Sequence, residues 1–173
     1  MTEVILVSEA DEAIGTLDKL AAHRPPARLH RAFSVFLIDD RGAVLLQRRA
    51  LGKYHFAGLW ANACCGHPQP GESTLVAAER RTFEELRVRP RELRELGQVR
   101  YRADDPASGL AEHELDHVLL GRLSSVAQPD PVEVAETQLV SRTELSDWLD
   151  RDPTAFAPWV ALIWPLVVAE LSA

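Results

Sequence analysis

Residues 66–88 read GHPQPGESTLVAAERRTFEELRV, and their pattern decides the architecture expected of the chain. Pro70-Gly71 is a turn signal, and Ser73 beyond it can cap a helix by accepting from a backbone N–H of the first turn. Leu75, Ala78, Thr82 and Leu86 recur at helical spacing, which predicts a helix over 73–88. Arg81 and Glu85 stand one turn apart, where an exposed ion pair stabilises a helix by about 0.2–0.5 kcal/mol. Just upstream, residues 62–68 read NACCGHP and hold both cysteines of the chain. Neighbouring cysteines bridge only through a strained ring, so Cys64 and Cys65 cannot staple distant parts of a fold. Packing, metal binding or reaction is left as their task.

Working outward, 4–7 reads as a strand, and 16–22 as a short helix stopped by Arg24-Pro25-Pro26. The β-rich runs 33–38 and 43–48 flank the turn Asp39-Asp40-Arg41-Gly42 and predict a hairpin. Residues 52–62 are loop-like and carry Tyr54, Phe56 and Trp60. Strands are expected over 96–102, 112–123 and 137–140, a loop over 128–131, and a helix over 143–149. The apolar run 155–169 is expected to be a buried helix bent at Pro165, too short to span a bilayer. The sum is one α+β domain over 1–173, with a mixed, mainly antiparallel β-sheet flanked by helices.

The 173 residues are 46% hydrophobic and 26% charged, an ordinary globular mix, with a net charge of -7. Acidity of this kind argues against nucleic acid or a membrane surface as partner. An acidic chain that handles an anionic substrate must gather its Arg and Lys locally or recruit metal. The first residues show no secretory signal, and adjacent unpaired cysteines fit a reducing, cytoplasmic setting.

On a strand, Glu112 and Glu114 face the same way, and two carboxylates so close repel unless a cation or a shared proton lies between them. His23 and His30 flank a proline-containing loop, and His67 sits in a glycine-proline turn. Three imidazoles with two carboxylates suit Mn²⁺, Zn²⁺ or Fe²⁺ better than Ca²⁺, which prefers oxygen cages. Arg48, Arg49 and Lys53 form a basic cluster able to clamp phosphate oxygens.

The run from Gly66 through Glu72 to Arg80-Arg81-Thr82-Phe83-Glu84-Glu85-Leu86-Arg87-Val88 resembles the Nudix box, with Arg81 where the box has glutamate and Arg87 where it has glycine. Together with Arg28-Leu29-His30-Arg31-Ala32-Phe33, Gly58-Leu59-Trp60-Ala61-Asn62, Cys65-Gly66-His67-Pro68, Arg100-Tyr101-Arg102-Ala103, Glu112-His113-Glu114 and Phe156-Ala157-Pro158-Trp159, the chain resembles the type 1 isopentenyl-diphosphate isomerases of the Nudix superfamily along nearly its whole length. That resemblance implies a Nudix-type fold. It also implies an intramolecular isomerase of isoprenoid biosynthesis, converting isopentenyl diphosphate to dimethylallyl diphosphate, with a Nudix diphosphate hydrolase as the alternative. It places a Mn²⁺ or Zn²⁺ site on His23, His30, His67, Glu112 and Glu114, and a Mg²⁺ that arrives with the diphosphate on Glu85 and the Cys65 carbonyl. Arg49, Lys53 and Arg81 are expected to bind diphosphate and Trp159 to line the hydrocarbon pocket. Cys65 and Glu114, assisted by Tyr101, are the expected catalytic groups. His55, His113 and His117 match no ligand position, and Cys64 is expected to pack. The isoprenyl diphosphate is the expected partner of a monomer or weak dimer.

Overall fold

The computed structural model describes residues 2–172. In chain order it runs β1 (Glu3–Val7), β2 (Ala13–Asp18), α1 (Lys19–His23), β3 (His30–Ile38), β4 (Val44–Arg49), β5 (Trp60–Asn62) and β6 (Cys64–Gly66). It continues with α2 (Thr74–Leu86), β7 (Arg91–Asp105), β8 (Leu110–Arg122), β9 (Val134–Val140), α3 (Arg142–Arg151), a 3₁₀ turn (Pro153–Ala155) and α4 (Pro158–Leu171). The strands form one mixed sheet of the expected α+β kind, in which, among the described residues, β3 and β8 are the one pair of strands to run in parallel. Among the described residues no helix is long and apolar enough to cross a membrane.

Side-chain alternation on β3 and β8 explains both cores. Phe33, Val35, Leu37 and Leu119 pack beneath α2 with Ala77, Ala78 and Leu86. Phe36, Val118 and Leu120 face the other way, against Trp159, Ile163 and Val167 of α4. The even-numbered face of β8 changes character along its length, from buried Glu112, Glu114 and Asp116 to apolar Val118 and Leu120. One half of that face packs a helix; the other half holds polar groups inside the protein.

Ser73 caps α2 as expected, its Oγ accepting from Val76 N at 3.4 Å. Ala78, Thr82 and Leu86 are buried, whereas Leu75 is 42% exposed, Ala77 and Ala78 instead facing the sheet at the start of α2. Ser141 and Glu144 form a reciprocal capping box on α3.

Several expectations need correction. The runs around Asp39–Gly42 are joined by a tight turn, but β3 and β4 pair only at Ile38 and Val44. The edge of β3 that a hairpin partner would use is taken by β6, with Phe33 opposite Gly66, Ser34 opposite Cys65 and Val35 opposite Cys64. β4 pairs instead with β5 and β9. Thr16 lies in β2, paired with Ile5, and helix begins only at Lys19. The loop over 52–62 ends in a strand, and the C-terminal helix starts at Pro158, a residue suited to a first turn, and continues through Pro165 to Leu171.

Arg87, the residue at the box glycine, ends α2 with φ 56° and ψ 25°, a left-handed conformation that strains any side chain bearing a Cβ. Arg87→Gly should therefore raise stability by about 1 kcal/mol, read from urea unfolding. A loss would show that the Arg87 guanidinium, lying 5.8 Å from the Phe83 ring, outweighs the backbone strain.

Candidate active site

The parallel register of β3 and β8 sets His30 opposite Glu114, and the antiparallel register of β7 and β8 sets Tyr101 opposite the same residue. His23 closes α1, and His67 follows β6. His23, His30, His67, Glu112 and Glu114 thus converge, with one potential ligand atom from each lying within 4.8 Å of all the others. His23 Nδ1 meets the Lys19 carbonyl at 2.7 Å, and His30 Nδ1 meets the Arg28 carbonyl at 2.7 Å. A carbonyl only accepts, so these nitrogens carry the proton and each Nε2 is left with its lone pair for a metal. His23 Nε2 lies 2.8 Å from Glu112 Oε2 without the alignment of a hydrogen bond, and among the described residues neither buried atom has another partner. Two electron-pair donors facing each other in a dry site fit a divalent cation between them.

Hydrogen bonds orient the carboxylates. Tyr101 Oη donates to Glu114 Oε2 at 2.6 Å, and Glu114 Oε1 lies 2.8 Å from His67 Nε2. Burial would raise the Glu114 carboxyl, but its contacts with His30 and His67 hold it well below the usual range. His55, which matches no ligand position, still joins the site: its Nε2 meets Glu112 Oε1 and fixes that carboxylate from behind. Its neighbour Tyr54 stacks on it, with ring centroids 4.5 Å apart. His113 and His117 do lie apart, against the Ala27 carbonyl and against Asp11 and Glu95.

Cys65 lines the same cavity of about 420 Å³ as Tyr101, Glu112, Glu114 and Trp159. Its thiol donates to Asn62 Oδ1 at 3.1 Å, and Trp159 Nε1 donates to the same oxygen at 3.1 Å. The Asn62 amide NH₂ is committed to the carbonyls of Val35 and Cys64, so its oxygen can only face the thiol and the indole. Burial, and after it the Asp116 charge, pushes the Cys65 thiol up to about 12. Asp116 is itself buried and accepts from Ser34 Oγ at 2.8 Å. Cys64 is fully buried in the α2 core, as expected.

The cationic side chains share this cavity. Lys53 and Arg81 line the cavity, and so does Lys19, which the sequence reading passed over. Arg49 is buried, donates to the carbonyls of Phe56 and His55 at 3.0 Å, and lays its guanidinium 5.4 Å from the Trp159 ring. Glu85 stands outside the five-residue cluster: its Oε1 accepts from Arg81 at 2.5 Å and its Oε2 from Gln47 at 3.3 Å. Each oxygen keeps a further lone pair, so Glu85, like Glu114, can be hydrogen-bonded and still face a cation. His55 and Lys19 left no spacing signal, because the groups they meet lie on other elements; Asp116 continues the alternation of Glu112 and Glu114, and Asn62 stands three residues before Cys65, so both were within reach of pattern.

Two outcomes follow. Adding Mn²⁺ to chelator-stripped protein should raise the thermal unfolding midpoint, and His23→Ala should remove that increase. Burial outweighs the pull of Glu114 and holds His67 down to about 3, against 6.5 ordinarily. The unfolded chain takes up this proton below about 6.5 and the folded chain only near 3, so His67 costs stability as pH falls through that window. In stripped protein, His67→Gln should flatten the acid limb of stability against pH.

The model of the NUDIX domain matches residues 28–162. The isopentenyl-diphosphate Delta-isomerase of Streptomyces coelicolor is 55% identical over 160 residues, covering 91% of this chain and 80% of its own. That of Nocardia farcinica is 52% identical over 158 residues, covering 91% and 90%. Among solved structures, DR0079 from Deinococcus radiodurans superposes with a TM-score of 0.68 at 21% identity, covering 90% of this chain and 91% of its own. The NUDIX domain of Shewanella oneidensis NrtR gives 0.64 at 18%, covering 95% and 99%. These two likenesses establish the fold. With the carboxylate–imidazole cluster, the Cys65 cavity and the altered box all in one place, the chain belongs to the NUDIX family and, within it, to the isopentenyl-diphosphate Delta-isomerases.

Proposed function

We propose that this chain converts isopentenyl diphosphate to dimethylallyl diphosphate by adding a proton at C4 and removing one from C2. The observation that carries this reading is that Cys65 and Glu114 line one cavity together with Lys53 and Arg81. An unactivated alkene is a poor base, so the reaction needs a strong acid on one face, a base on the other and no water to trap a tertiary cation.

Glu114, hydrogen-bonded by Tyr101, is the proposed proton donor, and Cys65 the proposed acceptor at C2. Trp159 lines the hydrocarbon end, where the face of an indole stabilises a desolvated cation by about 2 kcal/mol. Lys53, Arg81 and the buried Arg49 take the diphosphate, whose remote binding energy fixes the five-carbon chain. His23, His30, His67, Glu112 and Glu114 would hold a divalent ion, Mn²⁺ or Zn²⁺ by donor type, whose charge makes a bound carboxyl a stronger acid. Mg²⁺ is assigned to the incoming diphosphate, and no step is given to an ion at Glu85. We place the reaction in the cytoplasm, as the unpaired cysteines suggest.

The surroundings of the two groups support one resting arrangement of the protons. Asn62 Oδ1 can only accept, so Cys65 carries its hydrogen, while Glu114 is held ionised. Protonated thiol with ionised carboxylate is the pairing left when Glu114 has given a proton and Cys65 has taken one. It is equally the starting point for the reverse reaction. A forward cycle therefore includes a reset in which the thiol loses a proton and the carboxylate gains one.

Incubation with isopentenyl diphosphate and metal in D₂O should yield deuterated dimethylallyl diphosphate and no free phosphate. Release of phosphate or pyrophosphate would instead mark a hydrolase. Cys65→Ala and Glu114→Gln should each abolish turnover with the circular-dichroism spectrum unchanged, and activity in either variant would remove that residue from the scheme. Arg81→Glu should raise KM at least tenfold, about 1.4 kcal/mol of lost binding.

A further inference from the structure

We propose that Glu133 is the resident counter-anion of the diphosphate subsite, a carboxylate that incoming substrate displaces and whose competition limits substrate affinity. This rests on the assignment of Lys53 and Arg81 as phosphate ligands. One carboxylate bridges both cations: Glu133 Oε2 pairs with Lys53 Nζ, and Oε1 accepts from Arg81 Nη2 at 3.2 Å. All three side chains line the cavity, so the bridge occupies the place where phosphate oxygens would meet the same two donors.

The backbone makes the bridge a fixture. The Glu133 carbonyl accepts from Ala50 N at 3.0 Å, and its N–H donates to the Asp130 carbonyl at 3.0 Å. The segment before it is docked on the end of α2, Gln128 N donating to the Leu86 carbonyl at 2.7 Å and Asp130 N to the Glu85 carbonyl at 2.8 Å. The carboxylate is thus delivered to one spot, and only its side chain has to turn for the cations to be freed. Its solvent exposure of 27%, beside 20% for Lys53 and 24% for Arg81, leaves room for that exchange. Burial would raise this carboxyl, yet Lys53 and Arg81 draw it down to about 2, so it stays charged at any working pH.

Charge balance points the same way. Of the ionised side chains lining the cavity, five are cationic (Lys19, Arg49, Lys53, Arg80, Arg81) and four are carboxylates (Glu84, Glu112, Glu114, Glu133). Glu133 is the one that couples two of the three proposed phosphate donors, Lys53 and Arg81, so its charge is felt directly by an entering anion. A competing element inside a binding site weakens affinity and speeds release without touching the reacting groups.

Calorimetric titration of the whole chain with inorganic pyrophosphate, with EDTA and separately with Mg²⁺, tests this. Glu133→Gln and Glu133→Ala should both bind pyrophosphate about three- to tenfold more tightly than the unaltered protein in both media, as expected for removing a partly exposed competing ion pair. Unchanged or weaker binding in either medium would overturn the proposal, and weakening confined to Mg²⁺ would make Glu133 a metal ligand instead. Lys53→Ala separates this from the underlying reading. If the unaltered protein fails to bind pyrophosphate, or binds it as well without Lys53, the phosphate assignment itself falls. If binding depends on Lys53 and the Glu133 variants gain nothing, only the counter-anion role falls.

Discussion

The parallel pairing of β3 with β8 is the constraint on which the site depends. It fixes His30 opposite Glu114 and carries the pairing on to Ile38 opposite Arg122. A slip of one residue would turn Glu112, Glu114 and Asp116 toward α2 and bring Leu119 out from beneath it. The hydrophobic half of the ladder therefore holds the acidic half in place: the packing of Val118 and Leu120 against α4 makes any register that exposes the carboxylates to the α2 core too costly. Stability and chemistry share two strands, with the boundary between them near Asp116.

Burying so many ionisable groups is expensive unless each has a partner. The protein meets this by giving each group a fixed counterpart drawn from elsewhere in the chain. Glu114 has Tyr101 and two histidines, and Glu112 has His55 behind it. Arg81 is held by Glu84, Glu85 and Glu133, so the guanidinium standing at a box glutamate position is embedded among the helix carboxylates rather than merely replacing one. The altered box does not leave a gap in the architecture: α2 still begins at its serine cap and still packs on the sheet.

Much of this was legible in the residues. The period of α2 and its Ser73 cap, the same-face placement of Glu112 and Glu114, and the apolar C-terminal run each followed from local pattern. The failures share a cause. β6 is three residues long with little β-propensity of its own, and it exists because β3 offers it an edge. The predicted hairpin was right in its turn and wrong in its pairing, because sequence shows which segments are extended but not which neighbours they choose. His55 matches no ligand position and is no member of the cluster, and its contact with Glu112 is visible only when the loop after β4 folds over β8. Asn62 looked like part of a motif, and its function as a shared acceptor needs both Cys65 and a residue 97 positions away.

That last separation has a consequence for how the enzyme comes into being. The ribosome completes every member of the carboxylate–imidazole cluster, from His23 to Glu114, before it makes Trp159, which closes the hydrocarbon side by anchoring to Asn62. Losing the C-terminal helix would therefore leave all five members of the cluster in the chain while stripping the indole wall from the cavity beside them.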